Sequence, residues 1–235
     1  MLFRSLGTVT SLARQAGVQP SAIVRFAQSF GFSGFSELQG MFKAHLQAGW
    51  TGISSAAVPG EAAAMVEGFV QASQTSLARV LQRLDMRQFE AMAAVLAGAD
   101  IIYVAGAKRA FSAASHVALA LSKLGIRNML IDNVGSAAFE HARCALPRDA
   151  LLAISFAPYN SITPELAASA AQRGVPVVSI TDAAASPLAP LSKAHVEIEE
   201  DGHAGFRSLA ATLAVAMALV LQVARLRGDT STGET

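Results

Sequence analysis

Near the start of the chain, apolar side chains recur twice at helical spacing, and each run ends at a glycine. Thr8-Val9-Thr10-Ser11-Leu12-Ala13-Arg14-Gln15-Ala16 predicts a helix that Thr8 or Thr10 can cap and that stops at Gly17, a residue suited to a left-handed C-terminal turn. Gln19-Pro20-Ser21 restarts the chain, and Pro20 suits the first turn of a helix. Ile23, Phe26, Ala27 and Phe30 then form one stripe expected to be buried, and Gly31 closes the second helix. Two short helices joined by a tight glycine-containing turn have the form of a DNA-reading helix-turn-helix. Ala13 would let the helices approach, and Ile23 and Phe26 would pin the second to the first. With that stripe inward, Ser21, Ala22, Arg25 and Gln28 face outward, presenting the hydroxyl, methyl, guanidinium and amide groups that read base edges and grip phosphates. An ordinary helical hairpin has the same spacing. A third helix is expected from Phe32 to about Gln47. A head of this kind also packs on a helix before Thr8, which the few residues there leave missing.

The stretch from Ala48 to Gly60 has the Gly/Ser/Pro character of a linker, and helices are expected over about 61–84 and 86–96. The pattern then alternates. Short apolar runs at 101–105, 128–131, 150–155, 177–180 and 196–198 predict strands, with helices at 111–124, after the polar turn at 132, at 163–173 and at 205–225. Such alternation predicts an α/β fold, a parallel sheet with helices on both faces, behind an all-α head. The expected boundaries are 1–48 for the head, 49–97 for the linker and connecting helices, 98–227 for the sheet domain and 228–235 for a flexible tail.

Composition sharpens this division. The 235 residues are 52% hydrophobic and 15% charged, which argues against extended disorder. The formal net charge of +1 conceals an asymmetry: residues 1–50 carry +3, from Arg4, Arg14, Arg25 and Lys43 against Glu37, and the rest carry −2. The single cysteine, Cys144, excludes an intramolecular disulfide, suits a reducing compartment and is expected to be a buried structural thiol. The N-terminus lacks the apolar core of a secretory signal. The stretch from Leu209 to Ala224 falls short of the roughly 20 residues that span a bilayer and contains Thr212 and Gln222, so it is expected to be a buried helix, with no membrane partner. These features predict a cytoplasmic protein.

In a parallel sheet, ligands bind beyond the carboxyl ends of the strands, which directs attention to the loops at 106–111, 132–135, 155–163 and 181–186. The first, Gly106-Ala107-Lys108-Arg109-Ala110-Phe111, lacks both the dinucleotide glycine pattern and the phosphate-loop ending, so no nucleotide cofactor is expected, and no metal. Lys108 and Arg109 place two cations at a helix start. Ser155, Tyr159, Asn160, Ser161 and Thr163 make the third loop dense in hydroxyl and amide groups. Together with Gly106, these residues form the candidate pocket for a small anionic metabolite.

The head Ser11-Leu12-Ala13…Ala16-Gly17-Val18…Val24-Arg25-Phe26…Gly31-Phe32-Ser33-Gly34-Phe35 resembles the RpiR/MurR family of bacterial transcriptional regulators, and the body from about Ala99 to Ile198 resembles that family's sugar isomerase (SIS) domain. The resemblance implies a homodimer or homotetramer that binds operator DNA and responds to a sugar phosphate or sugar acid. Two departures stand out. Family members commonly show Gly-x-Gly-x-Ser in the first loop, where this chain keeps Gly106 but has Lys108 and Ala110. The common phosphate cradle Ser-x-Ser-Gly-x-Thr-x-Glu is reduced to Ser155, with Ala157, Pro158, Asn160 and Ile162 at the other positions, so Lys108 and Arg109 are expected to stand in for it. Two alternatives are an isomerase with Glu140, His141 or His203 as its base, and an effector-binding protein that has lost DNA binding.

Overall fold

Val9–Ala16 (α1) and Pro20–Ser29 (α2) form the head's helical pair. Gly17, at φ +65°, ends α1 in a Schellman turn: its own N–H donates to Arg14 O (3.3 Å) and the Val18 N–H donates to Ala13 O (2.9 Å). Burial centres on the small residues, with Ala13 at 2% and Ala27 at 0% exposure. Phe26, expected inside, is instead 56% exposed. Closely approaching helices bury small side chains at their contact, and the larger ring falls on the flank. Residues 35–40 are helical, and Glu37 accepts from the amide and hydroxyl of Ser33 at 2.6 and 2.7 Å. The hydroxyl bond first and the amide bond second hold the Glu37 carboxyl below its usual range.

The computed structural model describes residues 9–29, 32–40 and 62–231, in two compact units, 1–60 and 61–235. The expected helix before Thr8, Phe30, Gly31, the linker at 48–60 and the far end of the third helix lie outside the described residues.

The second unit opens with Ala62–Arg83 (α3) and Met86–Ala97 (α4). Asp85 caps α4 by accepting from the Arg87 and Gln88 amides. There follow Ile102–Gly106 (β1), Ala110–Lys123 (α5), Asn128–Ile131 (β2), Ala138–Arg143 (α6), Ala150–Ile154 (β3), Ile162–Gln172 (α7), Val177–Thr181 (β4) and Ala194–Glu197 (β5). The five strands pair in parallel in the order β2-β1-β3-β4-β5. Successive side chains of a strand point to opposite faces, and both faces are apolar here. Ile102, Val104, Leu152, Ile154 and Val178 share a core with Met92, Leu96, Val117 and Leu121, while Tyr103, Ala105, Leu151 and Ala153 share another with Ala138, Ala142, Leu166 and Ala170.

Two elements depart from the sequence expectation. Gly202–His203 (β6) and Phe206–Arg207 (β7) form a small antiparallel hairpin, and the closing helix Ala210–Ser231 (α8) starts only after it. The hairpin's two-residue loop, Ala204 at φ +49° and Gly205 at φ +82°, has the left-handed pair that suits strand twist. α8 is also longer than expected. Ala210–Gly228 has the length and apolarity to cross a membrane, and its residues Ala211, Val215, Ala216, Leu219 and Val223 are buried in the first core. Cys144 is exposed rather than buried, beyond the last turn of α6, with its Sγ 3.5 Å from Glu140 O.

Candidate functional site

The strand order reverses between β1 and β3, and a crevice opens there beyond their carboxyl ends. A pocket of roughly 300 Å³ occupies it. Its walls are Gly106 at the end of β1, Lys108 in the turn after it and Phe111 at the start of α5, Ile131 at the end of β2 with Asp132 and Asn133 after it, Ala138 on α6, and Ile162, Thr163 and Leu166 on α7. Ile131, Ala138, Thr163 and Leu166 are at most 3% exposed and form the floor. Lys108 and Asp132 are exposed and stand at the rim.

The β1–α5 turn is tight. Ala110 N donates to Ala107 O and Phe111 N donates to Lys108 O, and Lys108 itself sits at φ +56°. A Cβ on Gly106 would lie 2.8 Å from Ala110 O, so glycine is what lets β1 end directly under the start of α5.

Of the eight residues singled out from the sequence, Gly106, Lys108 and Thr163 line this pocket. The others do different work. Arg109 turns away from it, with its guanidinium 5.0 Å from the Phe156 ring centroid and donating to Ala157 O. Ser155 is fully buried and its hydroxyl has no partner. Asn160 Oδ1 accepts from the Thr163 amide, capping α7 from within the chain, next to the exposed Ser161. Tyr159 donates its hydroxyl to Asp182 Oδ1 at 2.7 Å. In the head, Ser21, Arg25 and Gln28 are exposed and Ala22 is half-buried.

Asp182 is a hub that sequence reasoning passed over. Its Oδ2 also accepts from Ala157 N (2.9 Å) and from Arg207 Nη1 (3.4 Å). Arg207 in turn reaches Ala157 O. Burial foremost, and then the Arg207 cation, weigh against the charged form of Arg109, while Asp182 and Glu200 act the other way. From Arg207 the hairpin continues to α3. Ser208 Oγ lies 3.0 Å from Ser73 Oγ, Asp201 N donates to Ser76 Oγ, and Arg79 pairs with Asp201 and Glu199. His203 packs edge-on to Phe69, against Gly68, where a Cβ would meet its ring. A continuous set of hydrogen bonds thus joins the loop after β3 to the helix that follows the head in sequence. Nothing local in the sequence marks it, because every partner is more than twenty residues away.

The chain has two tyrosines, and both hydroxyls are pushed above the ordinary tyrosine value. For Tyr103 the causes are burial and then the Asp149 carboxylate; for Tyr159 they are burial and then the Asp182 bond. A raised native value favours the neutral phenol, so this stabilisation is complete below about pH 10, the unfolded value, and is lost as pH climbs through the native values. The phenolate band is expected to stay low at about pH 10 in the folded protein and to reach half height there in strong denaturant. Coincident titrations in the two states would contradict both assignments.

Among the described residues, no group of three or more His, Cys, Asp or Glu side chains converges to hold a metal. Of the possible isomerase bases, Glu140 is exposed on α6, His141 is half-buried and His203 lies on the hairpin. None of them lines the pocket, whose carboxylate is Asp132.

Comparison with known proteins gives the frame for this geometry. The helix-turn-helix domain of the rpiR family matches residues 5–49, and the SIS domain matches residues 95–222, more than half of the chain. No curated protein sequence gives a significant match. Among solved structures, the sugar isomerase domain of an RpiR transcription factor from Sphaerobacter thermophilus is 24% identical at a TM-score of 0.65, covering 72% of this chain and 93% of that one. The Vibrio vulnificus NanR protein, complexed with ManNAc-6P, is 20% identical at 0.63 and covers 95% of this chain and 79% of that one. A Methanococcus jannaschii protein whose structure was taken to infer a 3-hexulose-6-phosphate isomerase is 13% identical at 0.52, over 69% of this chain and 89% of that one. These likenesses show the fold. With both domain matches in one chain and in this order, the protein belongs to the RpiR family, a helix-turn-helix head followed by a SIS domain.

Proposed function

We propose that this protein is a ligand-responsive transcriptional regulator. Its head binds operator DNA through Ser21, Ala22, Arg25 and Gln28, and its SIS domain binds a small anionic metabolite in the pocket at the strand-order reversal. The observation that carries this reading is the joining, in one chain, of an rpiR-type head to a pocket whose loops are hydrogen-bonded through Arg207 and the hairpin to α3. A ligand that engages the loop after β3 would favour one arrangement of that bonded set, and so bias α3. The ManNAc-6P bound by the Vibrio protein makes sugar phosphates the first ligands to test, with sugar acids second. The working form is a homodimer or homotetramer in the cytoplasm, since paired heads read paired half-sites. The bases considered for an isomerase, Glu140, His141 and His203, are not among the residues that line this pocket, where the carboxylate is that of Asp132.

Arg25 provides the test of the DNA half. Arg25→Ala is expected to lower affinity for a DNA fragment selected by the protein itself about tenfold, and to reduce the log–log salt slope by about one. Gel-shift titrations at several salt concentrations measure both. Unchanged affinity and slope would remove Arg25 from the interface.

A further inference from the structure

At the end of the SIS domain away from the pocket, charge is sorted along the strand direction. The carboxyl ends of the strands run into acids: Asp132 after β2, Asp182 after β4, and Glu199, Glu200 and Asp201 after β5. The amino ends are preceded by cations. Arg127 stands before β2, Arg148 before β3 and Lys193 before β5, at every second strand across the sheet. With about 4.8 Å between neighbouring strands, the three span a row of roughly 20 Å. Backbone bonds hold the row to the sheet: Ile102 N donates to Arg127 O, Asp100 N to Arg148 O, and Lys193 N to Val177 O. Lys123 and Arg143 reach the same end from the last turns of α5 and α6.

All five side chains are exposed. Their chain context is acidic, since the residues beyond position 50 carry −2 in total. The carboxylates at this end do little to offset them. Asp149 is buried and accepts from the Ile101 and Leu146 amides, and Asp100 pairs with Arg148 at 2.9 Å. Lys123, Arg127, Arg143 and Lys193 make no ion pair among the described residues. Helix ends account for part of the pattern, because each C-terminus carries about half a negative charge and attracts cations such as Lys123 and Arg143. Arg173 and Arg227 already serve such ends, the first donating to Ala142 O and Arg143 O, the second to Leu96 O and Ala99 O. No helix end calls for cations ahead of strands, and sheets have only small net dipoles. Arg127 and Lys193 are therefore left without a structural task.

Resting on the DNA half of the regulator reading, we infer that this edge is a second contact with duplex DNA, one that grips phosphates and reads no bases. A row of roughly 20 Å faces about a dozen phosphates along a duplex axis. Exposed Lys and Arg side chains on a fixed backbone are suited to that array, and the head supplies the reason for a duplex to be near. Leu124 and Leu146, exposed among these cations, would also suit an anionic lipid surface, which is the competing outcome.

The test compares full-length wild type with a fourfold variant, Lys123→Gln, Arg127→Gln, Arg143→Gln and Lys193→Gln. A control variant, Arg83→Gln with Arg87→Gln, removes exposed cations at the other end, where Arg83 lies 3.8 Å from Glu199. Thermal melts establish that each is folded. Each is titrated by fluorescence anisotropy, at several salt concentrations, with a long duplex of arbitrary sequence and with vesicles of phosphatidylserine and phosphatidylcholine. The fourfold variant is expected to bind the arbitrary duplex at least about tenfold more weakly than wild type, with a log–log salt slope smaller by about two to four. The control should keep both affinity and slope. Equal affinity and slope in wild type and the fourfold variant overturns the inference, as does an equal loss in both variants. No binding of the arbitrary duplex by wild type also overturns it, and vesicle binding that depends on the four cations would then assign the edge to lipid. The regulator reading fails separately, if no selected fragment is held more tightly than the arbitrary duplex. The edge can grip a duplex in that case, and the head can select its fragment while the edge is inert.

Discussion

Asp182→Ala is expected to lower the melting temperature of the SIS domain by roughly 5–15 °C, the largest loss among the polar substitutions considered for this site. One carboxylate here accepts from three donors, the Tyr159 hydroxyl, the Ala157 amide and the Arg207 guanidinium. Its side chain is 12% exposed, so the hydroxyl and the amide would be left with little water to turn to. Hydrogen bonds to a charged group contribute about 1.5–3 kcal/mol each. The Arg207 pair counts for less, because that side chain is 45% exposed and screened by solvent. The hydroxyl and amide bonds come to about 3–6 kcal/mol, but alanine also removes the cost of holding a largely buried carboxylate, so the net loss is about 2–4 kcal/mol, which corresponds to the stated range at roughly 2–4 °C per kcal/mol for a domain of this size. Asp182→Asn keeps one acceptor oxygen and should lose about half as much. Differential scanning calorimetry measures each, and a change of less than about 1 °C in the alanine variant would show that the hub is not a stabilising feature. The same variant should bring the Tyr159 hydroxyl only part of the way back toward its ordinary value, because burial, the first cause of its displacement, remains.

That hub also marks the limit of what the chain's pattern discloses. The sheet was legible because both its faces are buried, so each strand is a short apolar run closed by turn residues, and the strand runs expected from the sequence lie within one or two residues of those in the structure. The turn at Gly17 was legible for a local reason too, since only a left-handed residue ends α1 in that way. The hairpin was not. Its loop is Ala204-Gly205, a weak signal beside the Asn-Gly pairs that usually announce such turns, and the apolar pattern of α8 begins just after it. The site was legible in part, since Gly106, Lys108 and Thr163 line the pocket. Hydroxyl and amide groups crowded into one loop suggest a ligand, but Asn160 and Tyr159 spend their hydrogen bonds inside the protein, and Ser155 is buried. Much of the rest of the wall comes from Ile131, Ala138 and Leu166, residues that any reading of the pattern assigns to the core. Whether a polar group faces a ligand or a neighbour is decided by chain segments far off in sequence, and periodicity carries no record of that.

Gly106 joins stability and ligand response at one position, and its substitution separates the two. In Gly106→Ala the added methyl would lie 2.8 Å from Ala110 O and 3.0 Å from the Ala114 methyl. The first of these is backbone, so the start of α5 must move, and overpacking of this kind costs about 1–3 kcal/mol. A fall in Tm of roughly 3–10 °C is expected, and more for valine. Gly125 provides the contrast. It sits at φ +71° with open space around it, so Gly125→Ala strains only its own backbone, at about 1–2 kcal/mol. The two variants thus lose comparable stability by different routes. Moving the start of α5 also displaces Lys108 and Phe111, which line the pocket, whereas the turn at Gly125 follows the far end of the same helix. Gly106→Ala should therefore weaken the ligand-induced rise in Tm, and Gly125→Ala should leave that rise intact on a lower baseline. Equal loss of the rise in both variants would show that the pocket responds to global stability and not to the geometry of the β1–α5 turn.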